Sequence, residues 1–194
     1  MFTEPLQINK RGSGWIEVIS GSMFSGKTEE LLRRLKRAII ADQKIIILKP
    51  SVDNRYSKTK VVSHDANAMT SVVVEKTGEI LHRVTDEEVI GIDEAQFFDA
   101  ELVDICTDLA YRGKRVIVAG LDMDYKGKPF DTISQLLACA EYITKVHAIC
   151  AECGNPAQFS FRTSNKKERI VIGEKEAYKP LCRGCYDNQT EKNH

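Results

Sequence analysis

Short, continuous apolar runs alternate along this chain with longer stretches whose apolar residues recur every three or four positions. Apolar runs of four to six residues suit strands buried on both faces, whereas helical spacing marks a helix with one buried face. Trp15-Ile16-Glu17-Val18-Ile19-Ser20 reads as a first strand, rich in β-branched residues. Thr28 to Ile40 reads as a helix, with Leu31, Leu32, Leu35, Ile39 and Ile40 at helical spacing. Lys44-Ile45-Ile46-Ile47-Leu48-Lys49 is a continuous apolar strand ended by Pro50, and the polar segment Ser51 to Ala68 is a long connection outside the core. A short run, Val72-Val73-Val74, and a helix around Glu79 to Val84 follow. Val89-Ile90-Gly91-Ile92 is a buried strand, a helix runs from about Ala100 to Tyr111, and Gly113 ends it. Arg115 to Gly120 is another buried strand, Leu121 to Asp131 a polar loop, Thr132 to Ala140 a helix and Tyr142 to Ile149 a last strand. Such alternation predicts an α/β fold, a parallel sheet flanked by helices. From Cys150 no further strand–helix unit follows. The chain therefore divides into an N-terminal arm (1–14), an α/β domain (15–147) and a small C-terminal domain (148–194).

Candidate chemistry enters at the end of the first strand. Gly21-Ser22-Met23-Phe24-Ser25-Gly26-Lys27-Thr28 fits G-x-x-x-x-G-K-[ST]. Gly21 and Gly26 permit a tight turn whose N–H groups point inward as a nest for phosphate oxygens. Lys27 offers a cation to the β- and γ-phosphates, and the Thr28 hydroxyl can ligate Mg²⁺. The helix that follows aims its positive end at the bound anion. A second signal is Asp93-Glu94, at the exit of the buried strand 89–92. Asp93 suits a metal-holding acid, and Glu94 can reach the cleft beside the γ-phosphate and accept a proton there.

Lys+Arg 28 against Asp+Glu 28 leaves no net charge, so nothing global steers the chain toward nucleic acid or an anionic membrane. No apolar run reaches membrane-spanning length, and residues 1–14 lack a signal-peptide apolar core; a cytoplasmic location is the expectation. The six cysteines then read as thiols or metal ligands. Cys150-x-x-Cys153 and Cys182-x-x-Cys185, separated by 28 residues, make a four-thiolate structural zinc site. Cys106 and Cys139 read as core residues of helix faces, and His64 and His147 as structural.

Phosphate loop, Asp93-Glu94 and a terminal four-cysteine ribbon, in this order and length, resemble the thymidine kinases of the zinc-bearing class. The resemblance runs from about Trp15 to Tyr186. It is carried also by Lys-Pro-Ser-Val-Asp-Asn-Arg-Tyr (49–56), Ser-His-Asp (63–65), Asp-Glu-Ala-Gln-Phe-Phe (93–98), Gly-Leu-Asp (120–122), Pro129-Phe130 and Val-Ile-Gly (171–173). It implies a RecA-like P-loop sheet with a small zinc ribbon. The implied activity is transfer of the γ-phosphoryl of ATP to the 5′-hydroxyl of thymidine or deoxyuridine, a step of deoxynucleoside salvage. Glu94 matches the general base. Asp93, Ala95 and Gln96 fall with the phosphate-binding set, and Thr28 and Asp93 with Mg²⁺. Asp53, Arg55 and Arg162 match charged positions near phosphate or metal, and read equally as solvated loop charges. The base is implied to lie against Ile170, Val171, Ile172 and Gly173, mainly through backbone groups. Tyr178, Tyr125, Phe97, Leu121 and Phe130 complete that pocket. Family likeness further implies a homotetramer and inhibition by thymidine triphosphate, with no nucleic-acid or membrane partner.

Two rivals remain open at this point. An ATP-driven nucleic-acid motor shares an acidic box like 93–96, although eight Lys/Arg against six Asp/Glu after Cys150 make a poor footprint for a phosphate backbone. A nucleoside monophosphate kinase with a zinc lid would carry that lid mid-chain.

Overall fold

The computed structural model describes residues 12, 14–52, 60–62, 68–164 and 177–191. In chain order its first elements are β1 (Trp15–Gly21), α1 (Lys27–Ile40), β2 (Ile45–Pro50), β3 (Lys60–Val62), β4 (Ala68–Thr70), β5 (Val72–Val74) and α2 (Ile80–Arg83). There follow β6 (Val89–Ile92), α3 (Glu101–Tyr111), β7 (Arg115–Leu121), α4 (Asp131–Cys139) and β8 (Tyr142–Val146). Single 3₁₀ turns lie at Thr77–Glu79 and Ala95–Phe97. Six strands form one sheet in the order β5-β2-β6-β7-β1-β8, every neighbouring pair parallel.

The apolar runs are continuous because both faces of this sheet are covered. On one face α1 lays Leu31, Leu32, Leu35 and Ala38 over Ile19, Ile47, Val89, Ile117 and Ala119. Gly91 sits beneath α1, where a Cβ would lie 2.8 Å from Leu35 Cδ1, so the missing side chain lets the helix approach. On the other face α3 and α4 pack Leu102, Ile105, Cys106, Leu109, Ile133 and Leu136 against Val18, Ile90, Ile92, Val116 and Val118. Burial pushes the Cys106 thiol up to about 12, which leaves it an inert core residue. Among the described residues no helix is long and apolar enough to cross a membrane.

Under α1 lies a buried ionic network. Glu17 accepts from Trp15 Nε1 at 2.7 Å, from Arg34 Nη1 at 2.7 Å and from Arg115 Nε at 2.6 Å. Arg34 also donates to Glu30 at 2.8 Å and to Thr144 Oγ1 at 2.8 Å. It thereby joins α1 to β1 and to the edge strand β8. Removing one member of such a network strands the others in low dielectric, at a cost of about 3–5 kcal/mol. Glu17→Leu is therefore expected to lower the melting temperature by on the order of 10 °C, read by calorimetry, since about 1 kcal/mol moves a domain of this size by about 2–4 °C. An unchanged transition would mean that the network contributes no net stability.

The C-terminal part comprises β9 (Ala148–Ile149), β10 (Pro156–Ala157), β11 (Phe159–Arg162), β12 (Tyr178–Leu181) and α5 (Arg183–Glu191). Antiparallel pairs β9–β10 and β11–β12 enclose a core of Ala148, Cys150, Ala157, Phe159, Leu181 and Tyr186. Phe24, Met123 and the thiols Cys182 and Cys185 pack against this core. Phe159 and Tyr186 stack at 4.4 Å between ring centroids. The ribbon therefore rests on the phosphate loop and on the loop after β7.

Four expectations need correction. The last strand is two: β8 ends at Val146 in the main sheet, and Ala148 begins a separate ladder, because Ala148 and Cys150 turn into the ribbon core. Strand β2 includes Pro50, which pairs with β5 but lies beyond Leu48, the last residue paired with β6, so its missing N–H costs the sheet no bond to that neighbour. The connection 51–68 contains β3, which pairs with β4 as a hairpin. Cys139 is exposed. The buried stripe of α4 runs through Ile133 and Leu136 toward Leu137 and Ala140, and Cys139 ends the helix off that stripe.

Candidate active site

The C-terminal edge of a parallel sheet is where strand exits converge, and here three of them meet. The phosphate loop leaves β1, Asp93 leaves β6 and Leu121 ends β7. Gly21 must lack a side chain, since a Cβ there would lie 2.2 Å from the Val146 carbonyl oxygen. Gly26, at φ 82 and ψ 21, supplies the left-handed turn that starts α1. Ser25 Oγ and Lys27 Nζ both donate to the Ser22 carbonyl, at 2.8 Å and 2.7 Å. Thr28 Oγ1 donates to Asp93 Oδ2 at 3.3 Å, so loop hydroxyl and strand-end acid are neighbours as the spacing predicts. Glu30, in the first turn of α1, lies below the usual carboxylate range. Its partial burial opposes ionisation, but the guanidinium groups of Arg33 and Arg34 outweigh it.

Glu94 adopts φ 52 and ψ 40, a left-handed conformation uncommon outside glycine. Its N–H donates to Asp93 Oδ1 at 3.0 Å. Gln96 bridges two partners: Nε2 donates to Glu94 Oε2 at 2.5 Å, and Oε1 accepts from Leu121 N–H at 2.9 Å. Ala95 and Gln96 are both buried.

Ribbon residues close in on the loop. Met23 N–H donates to Ser160 Oγ at 3.0 Å, and Ser22 Oγ approaches the Ala157 carbonyl at 3.4 Å. Ser160 was not singled out by sequence: a lone serine in a short strand carries no local signal. Arg162 is no solvated charge. It is 7% exposed, its guanidinium carbon lies 3.6 Å from the Tyr125 ring centroid and 5.2 Å from that of Tyr178, and its Nη2 donates to Tyr178 Oη at 2.6 Å. Cation–π contacts and the hydrogen bond thus bring Tyr125 and Tyr178 together around Arg162. Tyr186 Oη donates to the Tyr125 carbonyl at 2.9 Å. Burial, then Asp124 and Asp187, raise the Tyr186 pKa, so it stays a donor at neutral pH. Leu121 and Phe97 are half-buried, and Phe130 sits at the head of α4 in the main core. Asp53, Arg55, His64 and Ile170 to Gly173 lie outside the described residues.

The thiols of Cys150, Cys153, Cys182 and Cys185 all lie within 4.8 Å of one another. A tetrahedron of sulfurs about 2.3 Å from a metal has edges of about 3.8 Å, so the cluster can hold a metal ion with small adjustment. Crowding makes these thiols unequal. At Cys150 burial opposes ionisation, but the N–H groups of Cys182, Cys153 and Glu152 bring the thiol down to about 6. Cys185 is pushed up to about 12 by hydrogen bonding with Cys182 and Cys153, and then by burial.

Comparison with known proteins agrees with this geometry. The family model "Thymidine kinase" matches residues 14–186. A thymidine kinase of Rhodothermus sp. (strain ITI 518) is 56% identical over 184 residues, covering 94% of this chain and 86% of its own length. One from Bacteroides thetaiotaomicron is 52% identical over 186 residues, covering 96% of this chain and 94% of its own length. Another, from Bacteroides fragilis (strain YCH46), is 50% identical over 193 residues, covering 100% and 97%. With matches at this identity over nearly its whole length, the chain belongs to the thymidine kinase family.

Proposed function

We propose that this chain transfers the γ-phosphoryl of ATP to the 5′-hydroxyl of thymidine or deoxyuridine, with the roles divided as follows. The N–H groups of Gly21 to Thr28 cradle the phosphates, and Lys27 neutralises charge on the transferred group. Glu94 accepts the proton of the 5′-hydroxyl as that oxygen bonds to the γ-phosphorus, the bond to the β-bridging oxygen breaks, and ADP leaves. Thr28 and Asp93 fit Mg²⁺, which would screen the phosphate charge. Tyr125, Tyr178, Phe97, Leu121 and Phe130, together with Ile170 to Gly173, receive the nucleoside. Zinc is the metal proposed for Cys150, Cys153, Cys182 and Cys185, in a structural role because four protein ligands leave no open position. The observation that carries this reading is the meeting of Thr28, Asp93 and Glu94 at one edge of the sheet.

A coupled assay against a panel of nucleosides, with single-stranded DNA as a further arm, tests it. Turnover of ATP should depend on thymidine or deoxyuridine. Stimulation by the DNA instead would identify a motor and sink the proposal. Lys27→Ala should abolish most turnover at any practical ATP concentration, and near-native activity in that variant would remove the phosphate loop from the reaction. A homotetramer in the cytoplasm, inhibited by thymidine triphosphate, belongs to the same proposal and is open to light scattering and inhibition assays.

A further inference from the structure

Gln96 joins the residue assigned as base to the backbone on the nucleoside side of the site. A backbone N–H can only donate, so the 2.9 Å contact from Leu121 fixes the amide oxygen of Gln96 toward Leu121 and its NH₂ toward Glu94. An NH₂ group offers Glu94 only hydrogens. The carboxylate oxygen that meets it acts as the acceptor, so the amide fixes where that oxygen lies. Gln96 is 6% exposed, and its Oε1 packs against Gly120, where a Cβ would come within 3.1 Å of it, so the missing side chain makes space for the amide. Glu94 itself sits at the exit of β6 in a left-handed backbone conformation.

We propose that Gln96 is a positioning residue for phosphoryl transfer: it holds the Glu94 carboxylate as a proton acceptor beside the phosphate loop and, through the Leu121 backbone, ties that orientation to the loop bearing Tyr125. This rests on the reading of Glu94 as the base. The arrangement gives the amide a use that contact with ATP would not explain. It also links nucleoside side and base, since anything that moves Leu121 moves the acceptor of its N–H.

The test is the single-turnover rate of phosphoryl transfer, with the KM values for ATP and thymidine, in this chain with Mg²⁺ present, for wild type, Glu94→Gln, Gln96→Leu and the double variant. Gln96→Leu removes both hydrogen bonds and should slow transfer on the order of 10- to 100-fold while the KM values for ATP and thymidine change little. Because Gln96 acts through Glu94, the double variant should be no more than about threefold slower than Glu94→Gln alone. Gln96→Leu transfer within threefold of wild type, with Glu94→Gln still slow, would overturn the positioning role and leave the base assignment standing, and so would fully additive losses in the double variant. A Glu94→Gln enzyme as fast as wild type would overturn the base assignment and the proposal with it. Should Gln96→Leu fail to bind ATP by calorimetry, Gln96→Asn replaces it; its shorter amide cannot span both partners, and transfer within threefold of wild type would overturn the proposal.

Discussion

Replacing Glu94 by glutamine is expected to slow phosphoryl transfer by about 10²–10⁴-fold while ATP affinity stays close to wild type. The amide matches the carboxylate in size but cannot take a proton. Phosphoryl transfer asks little covalent chemistry of a protein, so most of the machinery lies in positioning and charge neutralisation. In the proposed mechanism that machinery is the loop from Gly21 to Thr28, with Lys27, and Asp93, and the change leaves it untouched. The Glu94 N–H that donates to Asp93 Oδ1 belongs to the backbone and survives it. Single-turnover rates and ATP titration by calorimetry separate the two effects. An equal loss of ATP binding would make Glu94 a structural or metal-binding group.

Withdrawing the metal from the cysteine cluster should disable the enzyme as a whole. Structural zinc in small cysteine sites contributes apparent binding free energies of about 10–16 kcal/mol near neutral pH, as large as the total stability of a typical domain, about 5–15 kcal/mol. The ribbon core is small, built on Ala148, Cys150, Ala157, Phe159, Leu181 and Tyr186, so little would hold it once the metal is gone. Its loss would reach the catalytic edge by a short route. Ser160 would no longer accept from Met23 N–H, Phe24 would lose the surface it packs on, and Arg162 would leave Tyr125. The expected result is about one zinc per chain by elemental analysis. Chelation should give early hydrogen exchange in 148–191 and a parallel fall in kinase activity. Acidification acts in the same direction, because protons compete for the thiolates. A metal-free protein with four free thiols and full activity would contradict the prediction.

Much of this protein was legible because much of it is local. The phosphate loop is eight consecutive residues whose glycines answer to one tight turn, and the structure needs Gly21 and Gly26 for that reason. Strands β1, β6 and β7 announce themselves as mostly apolar runs, since a strand covered on both faces tolerates a charge only where it is paired, as Glu17 of β1 and Arg115 of β7 are. Two C-x-x-C pairs suffice to suggest a four-thiolate centre, because each knuckle brings its own two sulfurs together. Where local pattern failed, a partner distant in sequence had decided the matter. The apolar residues from Tyr142 to Ile149 read as one strand, but Ala148 and Cys150 are claimed by the ribbon core. Cys139 shares the composition of the α4 stripe and not its angle.

The sequence by itself pointed to the class of fold, the G-x-x-x-x-G-K-[ST] loop, the acid pair at 93–94 and the four cysteines that could hold a metal ion. Each rests on spacing within a turn, a strand or a knuckle, where covalent geometry limits the outcomes. Only the tertiary structure decided the strand order, the burial of Arg34 and Glu17 beneath α1, and the seating of the ribbon on the phosphate loop. It alone joined Gln96 to Glu94 and stacked Arg162 on Tyr125. These arrangements join residues separated by between 2 and 137 positions, and their hydrogen-bond and charge partners are selected by packing of whole elements. An arginine reads as solvated until a specific aromatic ring and hydroxyl are brought to it, and that meeting is written in the fold and nowhere in the run of residues around it.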